Sequence, residues 1–198
     1  MANWCDTQIT ITCDKRIAIR RFDKLLEEWT SKDCMENGFG AYWLGNIVVN
    51  SGIGTTRDIN YGTIQCRGKI TNWDISGNEI CITTETARSP MLKMWAMLID
   101  KYLPGATLTY VATEIEGGLY VTNIPEYKDK WVLDVCDVEG LESDYEIKEC
   151  DLVQKLQKAF ATRETDINKL IRLLDFIIED DQYVGIHKWE IHDENSWY

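Results

Sequence analysis

The chain opens with the residue pattern of a strand followed directly by that of a helix, and this order most constrains its fold. From Cys5 to Cys13 the odd positions are Cys, Thr, Ile, Ile and Cys while the even positions are polar, which predicts a strand with one buried face. Apolar residues from Ile19 to Trp29 then follow at i, i+3, i+6, i+7 and i+10, the spacing of an amphipathic helix that Asp14 is predicted to cap. The chain therefore opens with a strand and a helix that both need a partner for their apolar faces.

The same kinds of element return later in the chain. Two strand-like runs, 63–73 and 79–86, are separated by a Ser-Gly-Asn turn, which predicts a β-hairpin. Ser89 and Pro90 are the predicted N-cap and first residue of a second amphipathic helix. Further strands are predicted over residues 107–114, 119–124 and 131–135.

This order predicts an α+β protein. Residues 1–135 are expected to form a ferredoxin-like antiparallel sheet with two helices on one face. Within them, residues 32–61 are rich in Gly and Asn and are predicted to be an irregular excursion with one strand at Ile47–Val49. Residues 136–198 are predicted to form an acidic extension of helices and strands packed on that core. Its predicted elements are a strand at 145–148, a helix at 151–161, a helix capped by Thr165, and a closing strand at 183–192.

Acidic charge is concentrated in the second half of the chain. The net charge is −12, but residues 1–100 hold 12 acidic and 11 basic residues while residues 101–198 hold 21 and 10. Because Lys and Arg supply the affinity for a phosphate backbone, we expect no direct nucleic-acid binding and instead a basic protein partner. The predicted partner-binding residues, which form the densest acidic stretch, are Asp134, Asp137, Glu139, Glu142, Asp144, Glu146, Glu149 and Asp151.

The sequence also predicts a cytoplasmic protein. No cationic segment followed by an apolar run opens the chain, and no stretch approaches the roughly 18 apolar residues of a membrane span. Seven cysteines without a C-x-x-C pair favour buried thiols in a reducing compartment over disulfides or a zinc site. We therefore predict no membrane contact, metal or cofactor.

Three motifs that suggest chemistry have plainer explanations. A calcium loop centred on Gly140 would place Val135 at its first ligand position, where valine has no side-chain oxygen, so a solvated acidic loop is favoured. His187 and His192 lie five apart on one predicted strand and should point to opposite faces. Residues 52–56 lack the Lys-Ser/Thr end of a P-loop and favour a turn. No catalytic residues are predicted.

Four sequence blocks stand out as a set. They are MANWC at residues 1–5, TNW at 71–73, ETARSP at 85–90 and GLYVTN at 118–123. Together they resemble the YubB-like family of plasmid- and phage-borne proteins. The resemblance covers about residues 1–135 and implies a ferredoxin-like domain and a mobile-element setting, without implying a reaction.

Two functional hypotheses follow. The leading one is a non-enzymatic interaction protein of a phage or mobile element, whose acidic segment mimics nucleic acid and inhibits a nucleic-acid-binding host defence protein of the CRISPR type. The alternative is a small-ligand or nucleotide binder, with an enzyme not excluded, in which residues 32–61 form a lid over the sheet. Because Arg67 and Trp73 occupy odd positions of one predicted strand, they are expected to share a face. The predicted pocket residues are Tyr42, Trp43, Arg67, Trp73 and Arg88.

Overall fold

The computed structural model describes residues 3–32, 35, 37–178 and 181–193. The chain divides into two compact units: unit 1 comprises residues 1–119 and 192–198, and unit 2 comprises residues 120–191. The boundary predicted between residues 135 and 136 therefore lies inside unit 2. The physical reason is strand pairing, since the strand before that boundary hydrogen-bonds to two strands that come after it.

Unit 1 contains a four-stranded stretch of antiparallel sheet in the order β2-β3-β1-β4. Alternate residues of β1, β3 and β4 are buried, as the period-2 pattern predicts. In chain order the elements are β1 (Trp4–Thr12), α1 (Arg16–Ser31), α2 (Leu44–Asn50), α3 (Thr56–Asn60), β2 (Gly68–Ser76), β3 (Glu79–Ala87), α4 (Leu92–Tyr102) and β4 (Thr107–Glu114).

The two long helices of unit 1 meet through an aromatic contact. Helix α1 buries Ile19, Phe22 and Leu26, and the rings of Trp29 on α1 and Tyr102 on α4 have centroids 4.9 Å apart. Neither predicted cap is correct. Lys15, not Asp14, precedes α1 and makes no side-chain cap, and α4 begins at Leu92, after Ser89 and Pro90.

The excursion between α1 and β2 is helical where a strand was predicted. Residues 47–49 belong to α2, which buries Leu44, Ile47 and Val48 at i, i+3 and i+4. A three-residue apolar run is too short for periodicity to distinguish helix from strand. Helix α3 is held by a capping box in which Thr55 accepts from the Asp58 amide and the Asp58 carboxylate accepts from the Thr55 amide.

Unit 2 has its own core beneath a three-stranded antiparallel sheet in the order β7-β6-β8. Leu133 of the sheet and Leu152, Leu156, Leu170 and Leu174 of two helices are buried together. Its elements are β5 (Leu119–Thr122), a 3₁₀ turn (Pro125–Tyr127), β6 (Lys130–Cys136), β7 (Asp144–Lys148), α5 (Glu149–Ala159), α6 (Ile167–Ile177), β8 (Tyr183–Lys188) and β9 (Glu190–Ile191).

Two predictions for this part of the chain are corrected. Thr165 does not cap α6; the Asp166 carboxylate does, accepting from the amides of Asn168 and Lys169. The closing strand at 183–192 is two strands, because β8 pairs antiparallel with β6 whereas β9 pairs parallel with β5.

The α+β class is confirmed. Six α-helices and nine strands occur in the part of the chain that the structure describes, more strands than the four of a ferredoxin-like domain. None of the helices among the described residues is long and apolar enough to cross a membrane.

Candidate functional site

A cavity of about 590 Å³ in unit 1 lies between the excursion and the connection from β3 to α4. Three of the five pocket residues predicted from the sequence, Trp43, Arg67 and Arg88, line it. Its volume is within the range of small-molecule sites. The other described lining residues are Phe39, Ile59, Gly62, Ile64, Gln65, Cys66, Ala87, Ser89 and Met91.

Arg67 is brought to the cavity by close pairing of β2 with β3. Its carbonyl oxygen accepts a hydrogen bond from the Ala87 amide at 2.9 Å, directly before Arg88. The next residue, Gly68, lies so close to β3 that a Cβ there would be 2.4 Å from the Glu85 carbonyl oxygen. A glycine is therefore required at this point, and the close approach places both arginines on adjacent chain segments.

Arg88 has a left-handed backbone, with φ of 71°. Its amide donates a hydrogen bond to the Asn3 carbonyl oxygen at 2.9 Å, which holds that conformation. An L-residue in this region costs about 1–2 kcal/mol relative to the right-handed helical region. Such strained residues cluster at functional sites, where the surrounding structure maintains them.

Trp43 is positioned by the edge of the sheet and by α2. It forms an isolated antiparallel bridge with Lys69, and the Ile70 amide donates to the Tyr42 carbonyl oxygen at 3.0 Å. The indole ring packs directly over Gly45, where a Cβ would lie 2.5 Å from two ring carbons. Its Nε1–H is shielded from solvent and has no hydrogen-bond partner among the residues that the structure describes.

The electrostatics of this cavity are opposite to those of the whole protein. Its twelve described lining residues include two arginines and no Asp or Glu, although the chain has 33 acidic residues. Neither Arg67 nor Arg88 takes part in an ion pair within the described residues. Two exposed guanidinium groups that make no ion pair within the described residues make the cavity wall attractive to an anion.

The titratable groups of the wall do not offer acid–base chemistry at neutral pH. Burial raises the pKa of the Cys66 thiol to about 11, so it stays protonated and is a poor nucleophile. Arginine remains charged at any ordinary pH. What these lining residues can do is bind and orient a ligand.

Two of the predicted pocket residues lie elsewhere. Tyr42 and Trp73 line a separate depression of about 230 Å³, with ring centroids 5.9 Å apart. The Trp73 Nε1–H donates to Asp23 on α1 at 3.1 Å. The expectation that Trp73 shares a face with Arg67 is wrong because the pairing of β2 with β3 shifts between Ile70 and Asn72, and a bulge there reverses the alternation.

The structure places the predicted acidic residues along one continuous stretch of unit 2. This stretch, the acidic segment (134–151), comprises the end of β6, a loop, β7 and the first turn of α5. Lysines pair with two of its carboxylates: Lys155 with Asp144 at 3.0 Å and Lys130 with Glu146. Tyr127 also donates to Glu146, at 2.7 Å.

These pairs affect the protonation of the two carboxylates. Burial opposes ionisation of Asp144, but hydrogen bonds from Lys155 and the Glu146 amide outweigh it and lower the pKa. Hydrogen bonds from Lys130 and Tyr127 lower the pKa of Glu146. Asp144 and Glu146 are therefore structural anions that hold β7 to neighbouring elements.

The other members of the acidic segment are placed differently. Asp134 is partly buried and accepts hydrogen bonds from Ser143 and Tyr145 at 3.4 and 3.3 Å. The remaining five are exposed and make no ion pair within the described part of the chain; they are Asp137, Glu139, Glu142, Glu149 and Asp151. No group of three His, Cys, Asp or Glu side chains in the described residues is arranged to hold a metal ion.

The histidines and cysteines have individual surroundings. The His187 ring stacks at 4.9 Å on Tyr120, and burial lowers its pKa against the opposing effect of Asp134. His192 Nδ1 lies 3.0 Å from the Tyr110 hydroxyl. Buried thiols are found at two positions, Cys5 and Cys66, but two other cysteines, in unit 2, are exposed, and Cys34 lies outside the described residues.

Sequence reasoning missed most of the apolar wall of the cavity. Ile59 lies on α3, which was not predicted, and Ile64 and Met91 look like ordinary core residues in the sequence. A usable signal was the position of the two arginines near the open end of the predicted hairpin, with Arg67 within its first strand (63–73) and Arg88 just after its second (79–86).

The chain was compared with known proteins. No protein-family model, no curated protein and no solved structure matches it. The resemblance to the YubB-like family therefore stays a prediction.

Proposed function

We propose that this chain is a binding protein for a small organic anion, which occupies the cavity of unit 1. The observation that carries the proposal is the wall itself: Arg67 and Arg88 line it without a carboxylate among the described lining residues, in a protein of net charge −12. Unneutralised arginines in a concave, partly apolar wall are suited to hold an anionic group against an apolar body. The alternative hypothesis from the sequence thus gains support.

A thermal-shift screen tests this proposal. Nucleotides, cyclic dinucleotides and aromatic carboxylates should include compounds that raise the melting temperature of the wild-type protein. A ligand at 100 times its dissociation constant stabilises the folded state by about 2.7 kcal/mol. That is a shift of roughly 5–10 °C for a chain of this size.

Arg67→Gln should abolish the shift because it removes one of the two guanidinium groups. Arg57→Gln is the matched control. Arg57 is an exposed arginine of the excursion (residues 32–61) that packs over the Tyr61 ring and does not line the cavity. A shift that persists in Arg67→Gln, or no shift with any compound at millimolar concentration, would contradict the proposal.

A second function is favoured by the acidic segment. Unit 2 holds 17 acidic and 9 basic residues, and five exposed carboxylates of the segment have no lysine or arginine paired with them in the described structure. A surface of this kind attracts a basic protein. We propose that it binds a basic, nucleic-acid-binding host protein as a nucleic-acid mimic, the role expected of an inhibitor from a mobile element.

Charge reversal separates this second function from the first. Asp137→Lys, Glu139→Lys and Glu142→Lys together should abolish capture of a partner from host lysate without changing ligand shifts in unit 1. These three side chains are exposed, so the fold should survive. Glu116→Lys in unit 1 is the control. Capture that is equal for the triple variant, or insensitive to salt, would count against an electrostatic interface.

The fold of unit 1 also supports a finer proposal. The order β2-β3-β1-β4, with long helices after β1 and β3, is the arrangement expected of a split βαβ, or ferredoxin-like, domain. We propose that unit 1 is such a domain with α2 and α3 inserted between its first helix and second strand. The inserted helices then supply one wall of the cavity.

A further inference from the structure

We propose that the anion held in the cavity of unit 1 is a phosphate monoester carrying a planar aromatic group, as in a nucleoside 5′-monophosphate. This inference rests on the proposed binding function and specifies its ligand. It is argued from the charge of the wall, from the shape of the guanidinium groups and from the apolar side chains opposite them.

The charge of the wall calls for a dianion. Arg67 and Arg88 each carry one positive charge, and no Asp or Glu is among the described residues that line the cavity. A carboxylate or phosphodiester carries one negative charge and would leave one guanidinium uncompensated. A phosphate monoester carries about −1.5 to −2 at pH 7, which matches both.

The donor geometry also suits a phosphate. Each guanidinium offers a planar fork of N–H groups that binds two oxygens at once, and a phosphate monoester has three terminal oxygens to share between two forks. The Arg67 carbonyl oxygen accepts a hydrogen bond from the Ala87 amide, and Ala87 directly precedes Arg88. The two arginines therefore extend from neighbouring backbone segments, at the start of β2 and the end of β3. Ser89, also in the wall, adds a hydroxyl donor.

The rest of the wall suits a flat, partly polar body. Phe39 and Trp43 contribute aromatic rings, while Ile59, Ile64 and Met91 contribute aliphatic surface. An aromatic ring of the ligand would stack on the two aromatic rings and pack against the aliphatic side chains. A heteroatom on the ring would find a donor or an acceptor in the exposed side chain of Gln65.

Isothermal titration calorimetry with matched adenine compounds tests the ligand class. The probes are AMP, 3′,5′-cyclic AMP and adenosine, which share the ring and carry a monoester, a diester and no phosphate. Losing one charge-assisted hydrogen bond costs about 1.5–3 kcal/mol, so AMP should bind at least roughly tenfold more tightly than cyclic AMP. Adenosine should bind more weakly still.

The pH dependence supplies a second, independent readout. The second pKa of a phosphate monoester is about 6, so AMP affinity should fall between pH 7.5 and pH 5 while cyclic AMP affinity stays constant. The titratable groups of the described wall do not interfere, because arginine stays charged and the pKa of Cys66 is raised to about 11 by burial. Equal pH profiles for the two nucleotides would overturn the inference.

Benzoate distinguishes failure of this inference from failure of the proposed function. If benzoate binds with Arg67 dependence and AMP does not, the cavity is an organic-anion site but its ligand is not a phosphate monoester. If AMP, cyclic AMP and adenosine bind equally, the ring alone is recognised and the inference is overturned. If none of the four binds at millimolar concentration, both proposals fail.

Discussion

Replacing Arg88 with glycine should stabilise the protein while weakening ligand binding. The backbone of Arg88 is left-handed, with φ of 71°, and its side chain makes no ion pair among the described residues. Glycine adopts this conformation without steric cost. Because glycine has no side chain, the substitution also removes the guanidinium group from the cavity. The two effects of one substitution therefore have opposite signs.

The magnitude follows from two opposing contributions. Relief of the left-handed conformation contributes about 1–2 kcal/mol to the folded state. The greater conformational freedom of glycine in the unfolded chain lowers the free energy of unfolding by about 0.4–1 kcal/mol. The net range is about 0–1.6 kcal/mol, so we expect Arg88→Gly to be about 0.8 kcal/mol more stable than Arg88→Ala, which keeps the strain and lacks the guanidinium.

Urea unfolding followed by tryptophan fluorescence measures this difference. Arg88→Gly should show a higher midpoint than Arg88→Ala, and AMP should shift neither variant as it shifts the wild type. Ala161→Gly is a control for the backbone effect outside the cavity, since Ala161 also has a positive φ, of 49°. An Arg88→Gly protein that is less stable than Arg88→Ala would refute the assignment of strain, and unchanged AMP binding would refute the role of the guanidinium.

Three further predictions concern other sites. Gly45→Ala should displace the Trp43 ring, since a Cβ would lie 2.5 Å from it, and should weaken AMP binding with a changed fluorescence spectrum; wild-type affinity would show that the ring is not a binding wall. Cys66 should remain unmodified by iodoacetamide at pH 8 in the native protein, because burial raises its pKa to about 11; rapid labelling would contradict this. The lowered pKa of Asp144 stabilises the folded state above about pH 3.9, and this stabilisation is lost as the pH falls through the pKa of the folded state. Lys155→Met removes a cause of that lowered pKa. The variant should therefore lose less stability than the wild type between pH 5 and pH 3, by up to about 1 kcal/mol. An unchanged acid profile would show that this ion pair contributes nothing.

The parts of the fold that sequence predicts are those with long, regular periodicity. Strand β1 buries four residues at alternate positions, and helix α1 has five apolar residues at helical spacing; both elements occur where predicted. The short run at Ile47–Val49 fits a strand or a helix equally well, and burial of Leu44 in the same turn made it a helix. The cap of α6 was not predicted correctly because two possible capping residues, Thr165 and Asp166, are adjacent, whereas α1 and α4 begin without any side-chain cap.

The candidate site was predicted in part for a related reason. Arg67 and Arg88 flank a hairpin, so pairing of its strands brings them together regardless of detail. Trp73 lies beyond Thr71, where one extra residue in β2 reverses which side chains face the helices. A single bulge leaves no mark in the composition of a strand, and the assignment of faces therefore fails for every residue after it.

The total charge of a chain does not determine the sign of the ligand that one of its sites accepts. At physiological salt the Debye length is about 8 Å, so charges farther from a bound group than this contribute little to its energy. Within the cavity of unit 1, the lining residues Arg67 and Arg88 are therefore the charges that act most strongly on a bound group. A net charge of −12 is therefore compatible with the proposed anion site, and because Arg67 and Arg88 are both exposed, AMP binding should weaken as the salt concentration rises.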